Sequence, residues 1–172
     1  MITRHFSGSK NITTTIPYNI IYYTSTDGQM IYPNTLDFGV NLVENTYTNG
    51  QGMLSFDGDI TSIGDYAFKN CSSLTSVTIP NSVTDIRGNV FYNCSSLTYL
   101  TIPYRVTNIG YCVFYNCSSL KTITCEAATP PTLGSANNLS TVIAIYVPEE
   151  SIEAYKTANN WSYYSDKIYP IP

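Results

Sequence analysis

Charge is scarce in this chain. Asp, Glu, Lys and Arg make up 12% of its 172 residues, about half the roughly 25% usual in soluble domains. Eight Lys and Arg are scattered against twelve Asp and Glu, for a formal net charge of −4. A nucleic-acid partner needs a basic stripe that displaces counterions, so none is expected. No apolar run approaches the ~20 residues that cross a membrane as a helix, and no membrane insertion is expected. Histidine occurs once, as His5, with no partner pattern around it. Ser-His-Asp and Cys-His mechanisms need a positioned base, and His5 is badly placed for one. Gly-rich phosphate loops and metal-spaced His clusters are missing. The chain is therefore expected to have no cofactor, no metal and no enzymatic activity. Five cysteines are present, an odd number at spacings unlike a disulfide framework. Met1 to Thr15 carries Arg4 and Lys10 but no apolar core, so no signal peptide is expected there.

Uncharged polarity takes the place of charge. Thr, Ser, Asn and Tyr far outnumber the charged residues, and Tyr alone occurs 16 times. At 43% hydrophobic the chain is too apolar for general disorder. Its length suits one domain with caps.

The order in this composition is a repeat. Asn-Cys-Ser-Ser-Leu occurs at Asn70–Leu74, Asn93–Leu97 and Asn116–Leu120, at one constant step. The same step aligns Ile63, Ile86 and Ile109; Ala67, Val90 and Val113; Phe68, Phe91 and Phe114. Val77, Leu100 and Ile123 form another column, and Ile79, Ile102 and Cys125 the next, with Pro80 and Pro103 after it. Leu54, Phe56 and Ile60 lie one full step before Val77, Ile79 and Val83, so an earlier repeat strand is expected from Met53. Val142, Ile145 and Val147 fall one position short of a full step past Leu120, Ile123 and Cys125. They read as a fifth, degenerate strand. Thr129-Pro130-Pro131 is expected to reroute the connection before it.

A 23-residue period with Leu-x-x-Val-x-Ile spacing is a leucine-rich repeat pattern. Alternation in Val77-x-Ile79 turns both side chains inward on a short strand. One unit cannot bury its apolar side alone, but stacked units shield one another. The expected fold class is a leucine-rich-repeat solenoid, β-rich α/β. Short parallel strands would form the concave face opposite an irregular convex side. An N-terminal β-hairpin and a C-terminal helix would cap it. Five strands about 4.8 Å apart would span roughly 20 Å.

Ile63-Gly64, Ala67-Phe68, Asn70-Cys71, Leu74, Val77, Ile79-Pro80 and Val83 resemble, more narrowly, the repeat of BspA-like (Bacteroides surface protein, Treponema-type) leucine-rich repeat proteins. The resemblance covers about Leu54 to Cys125, and Tyr146 to Ile168 is similar to the closing segment of such proteins. Two departures stand out: Arg87 replaces the second Gly, and Cys125-Glu126 replaces Ile-Pro. The resemblance implies a secreted or cell-surface bacterial protein that attaches to host extracellular matrix or to other microbes.

Three segments follow: 1–52 as an N-terminal β cap, 53–148 as repeats, and 149–172 as a C-terminal helical cap. Ile20–Thr24 and Met30–Tyr32 flank Ser25–Gln29 and are expected to pair across a Gly turn. Asn49-Gly50 marks a second turn. Asn34–Thr48 reads as irregular, or as an edge strand around Val40–Val43. Pro148–Asn159 is expected as a helix. Pro148 suits its first turn, and Glu149 and Glu150 complement its dipole. Ile152, Tyr155 and Ala158 form its apolar stripe. It is expected to lie over the open end of the last coil, with Trp161 packed behind it and Ile168–Pro170 closing the chain.

The residues that invite chemistry each have a plainer explanation. Cys71, Cys94 and Cys117 share one column, where thiols about 5 Å apart would suit a metal. Small buried hydrophobes filling a tight corner explain them better. Cys125 belongs to a core column, and Cys112, aligned with Tyr66 and Asn89, is the one thiol expected to be partly exposed. Asp57-Gly58-Asp59 resembles part of a calcium loop, but its register matches Pro80-Asn81-Ser82, a turn after a strand, and turn chemistry suffices. Asn11, Asn70, Asn93, Asn116, Asn138 and Asn160 begin glycosylation sequons. Asn70, Asn93 and Asn116 are better read as structural turn residues.

Function is expected on the outward strand positions. These are Met53 and Ser55; Thr75, Ser76 and Thr78; Thr98, Tyr99 and Thr101; Lys121, Thr122 and Thr124. Tyr and Arg anchor interfaces, so the candidate ligand-binding set is Thr78, Tyr99, Thr101, Tyr104, Arg105 and Lys121. The plainer reading is that these hydroxyls only solvate a β surface. Tyr92 and Tyr115 sit on the opposite side and are expected to stack. The sequence thus reads as a non-enzymatic interaction or adhesion module with a protein partner. The alternatives are a spacer presenting another domain, and a carbohydrate-binding protein using Tyr platforms. A glycosidase would need two opposed carboxylates, whereas Asp and Glu lie mainly in turns and the terminal helix.

Overall fold

The computed structural model describes residues 17–36 and 38–172; His5 and Asn11 lie outside them. The chain is a repeat fold with parallel and antiparallel sheets and little helix. Each repeat contributes a four-residue strand and a two-residue one. The long strands are β5 (Leu74–Val77), β7 (Tyr99–Ile102), β9 (Thr122–Cys125) and β11 (Ala144–Val147). The short ones are β4 (Ser62–Ile63), β6 (Asp85–Ile86), β8 (Asn108–Ile109) and β10 (Thr132–Leu133).

Equivalent positions pair in parallel from repeat to repeat. Leu100 faces Ile123, which faces Ile145. Ile63, Ile86, Ile109 and Leu133 form the second ladder. The connecting turns are stitched in the same sense. Phe68 N–H donates to Val90 O at 2.9 Å, and Phe91 N–H to Val113 O at 3.1 Å. Buried backbone groups must find partners, and here each coil finds them in its neighbour. Arg87 keeps the bond of its column, N–H to Ile63 O at 3.0 Å, as Gly110 does to Ile86 O. Glu126, in place of Pro, supplies an N–H that bonds Ile102 O at 3.0 Å.

Register stacks like on like inside the fold. Phe68, Phe91 and Phe114 form a spine with ring centroids 5.5 and 6.4 Å apart. Cys94 and Cys117 thiols donate to the carbonyls of Phe68 and Phe91, one repeat back, at 3.0 and 3.1 Å. Asn93 donates to Asn70 Oδ1 and Asn116 to Asn93 Oδ1, both at 2.9 Å. All three asparagines have φ near +60°, a left-handed conformation Asn tolerates. They are structural turn residues, as their column implies.

The N-terminal part differs from expectation. β1 (Ile20–Ser25) does not pair with Met30–Tyr32, which form no strand. It lies between β3 (Gln51–Phe56) and β5, antiparallel to both, with Ile21 opposite Leu54 and Tyr23 opposite Val77. The strand beginning near Met53 is therefore not the parallel neighbour of β5. Ile21 and Tyr23 alternate inward and are fully buried, so long-range burial wins over a local hairpin. The hairpin forms instead between β2 (Leu42–Thr48) and β3. Asn49 and Gly50 both take positive φ there, 52° and 81°, as a type I′ turn requires. β2 is the edge strand, beginning and ending later than Val40–Val43.

Downstream, Thr129-Pro130-Pro131 reroutes nothing. Thr132 pairs with Asn108, so the stretch absorbs one extra residue and returns the chain to its column. The expected helix is shorter: a 3-10 turn at Glu149–Ser151, then α1 (Ile152–Thr157), with Ala158 already extended. A second 3-10 stretch, Ser162–Lys167, leads to β12 (Ile168–Pro170), which adds in parallel to β11. Tyr155 and Trp161 are fully buried, edge to face, 5.2 Å apart. Their polar ends donate to Ala127 O and Pro131 O, each at 2.8 Å.

Asn137 ends the turn ladder with its side chain. Its Oδ1 accepts from Phe114 N–H at 3.1 Å, where the preceding coils use the carbonyls of Val90 and Val113. Its Nδ2 donates to Gly110 O and Gly134 O at 2.7 and 2.9 Å. Phe91→Ala should lower stability by about 3–5 kcal/mol. Asn137→Ala should lower it by about 1–3 kcal/mol by orphaning buried backbone groups. Urea midpoints at unchanged slope measure both. A wild-type midpoint for Asn137→Ala would mean that water replaces these bonds.

Candidate functional site

The sheet ordered β7-β9-β11-β12 presents one set of alternating residues outward. Register places Thr101, Thr124, Tyr146 and Tyr169 in one row, and Tyr99, Thr122 and Ala144 in another. Tyr146 and Tyr169 rings lie 6.4 Å apart, tilted. Neither belongs to the candidate set drawn from sequence. Alternation in Ala144–Val147 was the available signal for Tyr146. Tyr169 needed β12, which no repeat column announces.

Five of the six sequence candidates lie exposed along this sheet. Tyr99 and Thr101 are on β7, with Tyr99 54% exposed. Lys121 stands just before β9, its N–H bonded to Thr98 O at 2.9 Å. Tyr104, also 54% exposed, and Arg105 occupy the turn after β7. Tyr99 and Tyr104 are five positions apart, up to about 17 Å of extended chain. The set borders a surface and does not converge on a pocket.

Thr78 is placed differently. Its hydroxyl accepts from Tyr22 N–H at 2.9 Å and donates to Tyr22 O at 3.2 Å. Thr75 and Ser76 hydroxyls bond the Thr24 hydroxyl. β1, unforeseen beside β5, takes up the groups that the repeat pattern leaves free.

The other chemical candidates have structural partners. Burial pushes the Cys71 thiol up to about 11 and Cys117 up to about 12, and raises Cys94 further. Cys125 is raised to about 11, also by burial, and its thiol lies 3.1 Å from the Tyr155 oxygen, whose proton goes to Ala127 O. Asp57 receives Asn41 N–H and Nδ2, both at 2.8 Å, and these bonds hold its carboxyl below the usual range. Among the described residues, no group of three His, Cys, Asp or Glu is placed to hold a metal ion.

On the turns, Tyr92 and Tyr115 stack as expected, 4.9 Å apart and 13° from parallel. Lys69 occupies the same column one repeat earlier. Its Nζ sits 5.4 Å from the Tyr92 centroid and 4.8 Å from that of Tyr66, within cation–π reach.

A family model described as BspA type leucine-rich repeat region matches residues 45–158 in six copies. It extends beyond Leu54–Cys125, where the columns are plain, and counts one repeat more than the five strands read from sequence. No curated protein matches the chain.

The cysteines supply a direct test of this geometry. Cys112 is partly exposed, whereas Cys94, Cys117 and Cys125 are buried. A thiol-specific reagent at pH 8 should label Cys112 first. Cys71 should follow slowly, because burial disfavours its thiolate and reactivity needs that form. Its rate should climb as pH rises toward about 11. The other three should react only on unfolding. Peptide mapping by mass spectrometry reads the order, and early labelling of Cys94 would contradict the packing.

Proposed function

The chain belongs to the BspA-type leucine-rich repeat family, and from that premise we propose that it is a non-enzymatic protein-interaction module acting in adhesion. Its repeats form a solenoid exposed on a bacterial cell surface or secreted from it. The partner is a protein of host extracellular matrix or of another microbial surface. No helix among the described residues is long and apolar enough to cross a membrane, so attachment would come from elsewhere.

One observation carries this reading. The outer residues of β7 and β12 stand exposed, Tyr99 and Tyr169 among them, with Tyr104, Arg105 and Lys121 at the strand ends. Tyr brings large contact area and a polar tip, and Arg brings a planar donor fork. Such residues dominate binding energy where they are desolvated. The Thr hydroxyls between them solvate the free face and accept hydrogen bonds from a docked chain.

Capture from a panel of extracellular-matrix proteins and mucin tests the proposal. Tyr99→Ala combined with Arg105→Ala should weaken the captured partner about 30-fold, the effect of losing an anchor worth ~2 kcal/mol. Tyr32→Ala, at an exposed site before β2, should leave affinity unchanged. Equal affinity for the double variant and wild type would move the interface off this sheet.

A further inference from the structure

Three dipeptides place glycine after an acidic or amide residue at a turn or bend: Asp27-Gly28, Asn49-Gly50 and Asp57-Gly58. Such pairs share one reaction. The glycine nitrogen, unhindered by a side chain, attacks the Cγ carbonyl before it and closes a five-membered imide. The structure separates the three. Asp27 accepts Gln29 N–H at 3.1 Å, and this bond holds its carboxyl below the usual range. Asp57 is held down likewise by Asn41, and Val40 crowds Gly58, where a Cβ would stand 3.1 Å from its Cγ1. An ionised carboxylate resists a nucleophile. Asn49 instead carries a neutral amide, and both it and Gly50 are exposed. A Cβ on Gly50 would meet nothing within 4 Å. Among the described residues, no hydrogen bond holds the Asn49 amide or the Gly50 N–H.

Other asparagines are held or hindered. Asn19, Asn45, Asn108 and Asn160 each donate from Nδ2 to a fixed acceptor, and Asn93 and Asn116 do so within the amide ladder. Asn81 and Asn159 carry no such bond, but Ser82 and Asn160 follow them. A side chain on the attacking residue obstructs closure. Only at Asn49 do an open amide and an open glycine nitrogen coincide.

We propose that Asn49 is a site of spontaneous deamidation and isoaspartate formation, and that this modification loosens the N-terminal cap. Hydroxide takes the Gly50 amide proton, and the nitrogen attacks Asn49 Cγ. The new Cγ–N bond replaces the Cγ–Nδ2 bond, and Nδ2 leaves as ammonia with a proton from water. Water then opens the imide. Cleavage at Cγ gives aspartate, and cleavage at the main-chain carbonyl gives isoaspartate, which routes the backbone through the side-chain carbon. One methylene thereby enters the turn. A type I′ turn joins its strands through two residues of positive φ, and Asn49 and Gly50 supply them. The lengthened turn loses that match. β2 has β3 as its only sheet neighbour, so it loosens first. The Tyr47 hydroxyl donates to Gly50 O at 3.1 Å and accepts from Ser25 N–H at 3.4 Å, so the tie from turn to β1 loosens with it. An uncapped solenoid end exposes core, and this turn sets how long the cap stays closed.

Ageing the full chain in mildly acidic and mildly alkaline buffer tests the inference. Peptide mapping by mass spectrometry follows each residue, and isoaspartyl methyltransferase labels the rearranged product. Asn49 should convert about ten-fold faster than any other asparagine, faster still in alkali, with isoaspartate exceeding aspartate. The isolated isoaspartyl form should lose hydrogen-exchange protection at the β2 amides and keep it at Leu100 and Ile123. Asn49→Gly removes the electrophile and still admits a positive φ. Aged alongside, it should keep its β2 protection. Four results would overturn the inference: no conversion at Asn49, equal conversion at another Asn or at Asp27 or Asp57, an isoaspartyl form with β2 still protected, or the same β2 loss in aged Asn49→Gly. Each leaves the Tyr99 and Arg105 test standing.

Discussion

Parallel register at one constant repeat step is the constraint from which the rest of the molecule follows. Alternate turn N–H groups end on carbonyls of the coil after, as Asn70 on Tyr92 and Asn93 on Tyr115, while others close short turns within the coil, as Cys71 on Phe68. No coil satisfies its backbone alone. Because register sets like against like, side chains inherit the same ladder. The Phe spine, the Asn amide ladder and the Tyr92–Tyr115 stack are one geometric fact seen at three depths. A slip of one residue would invert every strand face, so the repeat tolerates insertions only where the chain can absorb them, as Pro130-Pro131 does.

Such a stack has a problem at each end, and the ends solve it differently. At the N-terminal side, backbone does the work. β1 enters between β3 and β5 and converts the edge into an antiparallel sheet. At the C-terminal side, side chains stand in for the missing coil. Gly110, Ala127, Ala128, Pro131 and Leu133 each offer a carbonyl. Asn137, Tyr155, Ser151, Trp161 and Asn160 respectively donate to them. A helix as short as α1 is not stable alone, so α1 is better understood as a carrier for Tyr155 than as a cap by virtue of being helical.

Where register repeats, the sequence was legible. Ile145 opposite Ile123, buried Cys94 and Cys117, the turn asparagines and stacked Tyr92 and Tyr115 all came from column alignment. Elsewhere it was not. β1 shares no column with any repeat, and its partners are distant in the chain, Leu54 for Ile21 and Val77 for Tyr23. A local Gly turn at Gly28 was the louder signal. For the candidate surface, this hid the engagement of Thr78. Tyr169 required β12, a strand outside the repeat.

The scarcity of charge also follows from register. A charge repeated in one column would face its copy about 4.8 Å away, at a cost of roughly 1 kcal/mol even in water. From Ile63 to Glu126 no column holds the same charge in two successive coils. Lys69 is followed by Tyr92, Asp65 by Gly88, and Arg87 is flanked by Gly64 and Gly110. Asp85 is followed by Asn108, which donates to it at 2.6 Å and accepts from Thr132 at 2.7 Å. Hydroxyls and amides stack without this penalty, because each is donor and acceptor at once. A surface built this way is neutral by construction. It has little electrostatic reach with which to steer a charged partner, so its selectivity must come from aromatic area and hydrogen-bond pattern at contact distance.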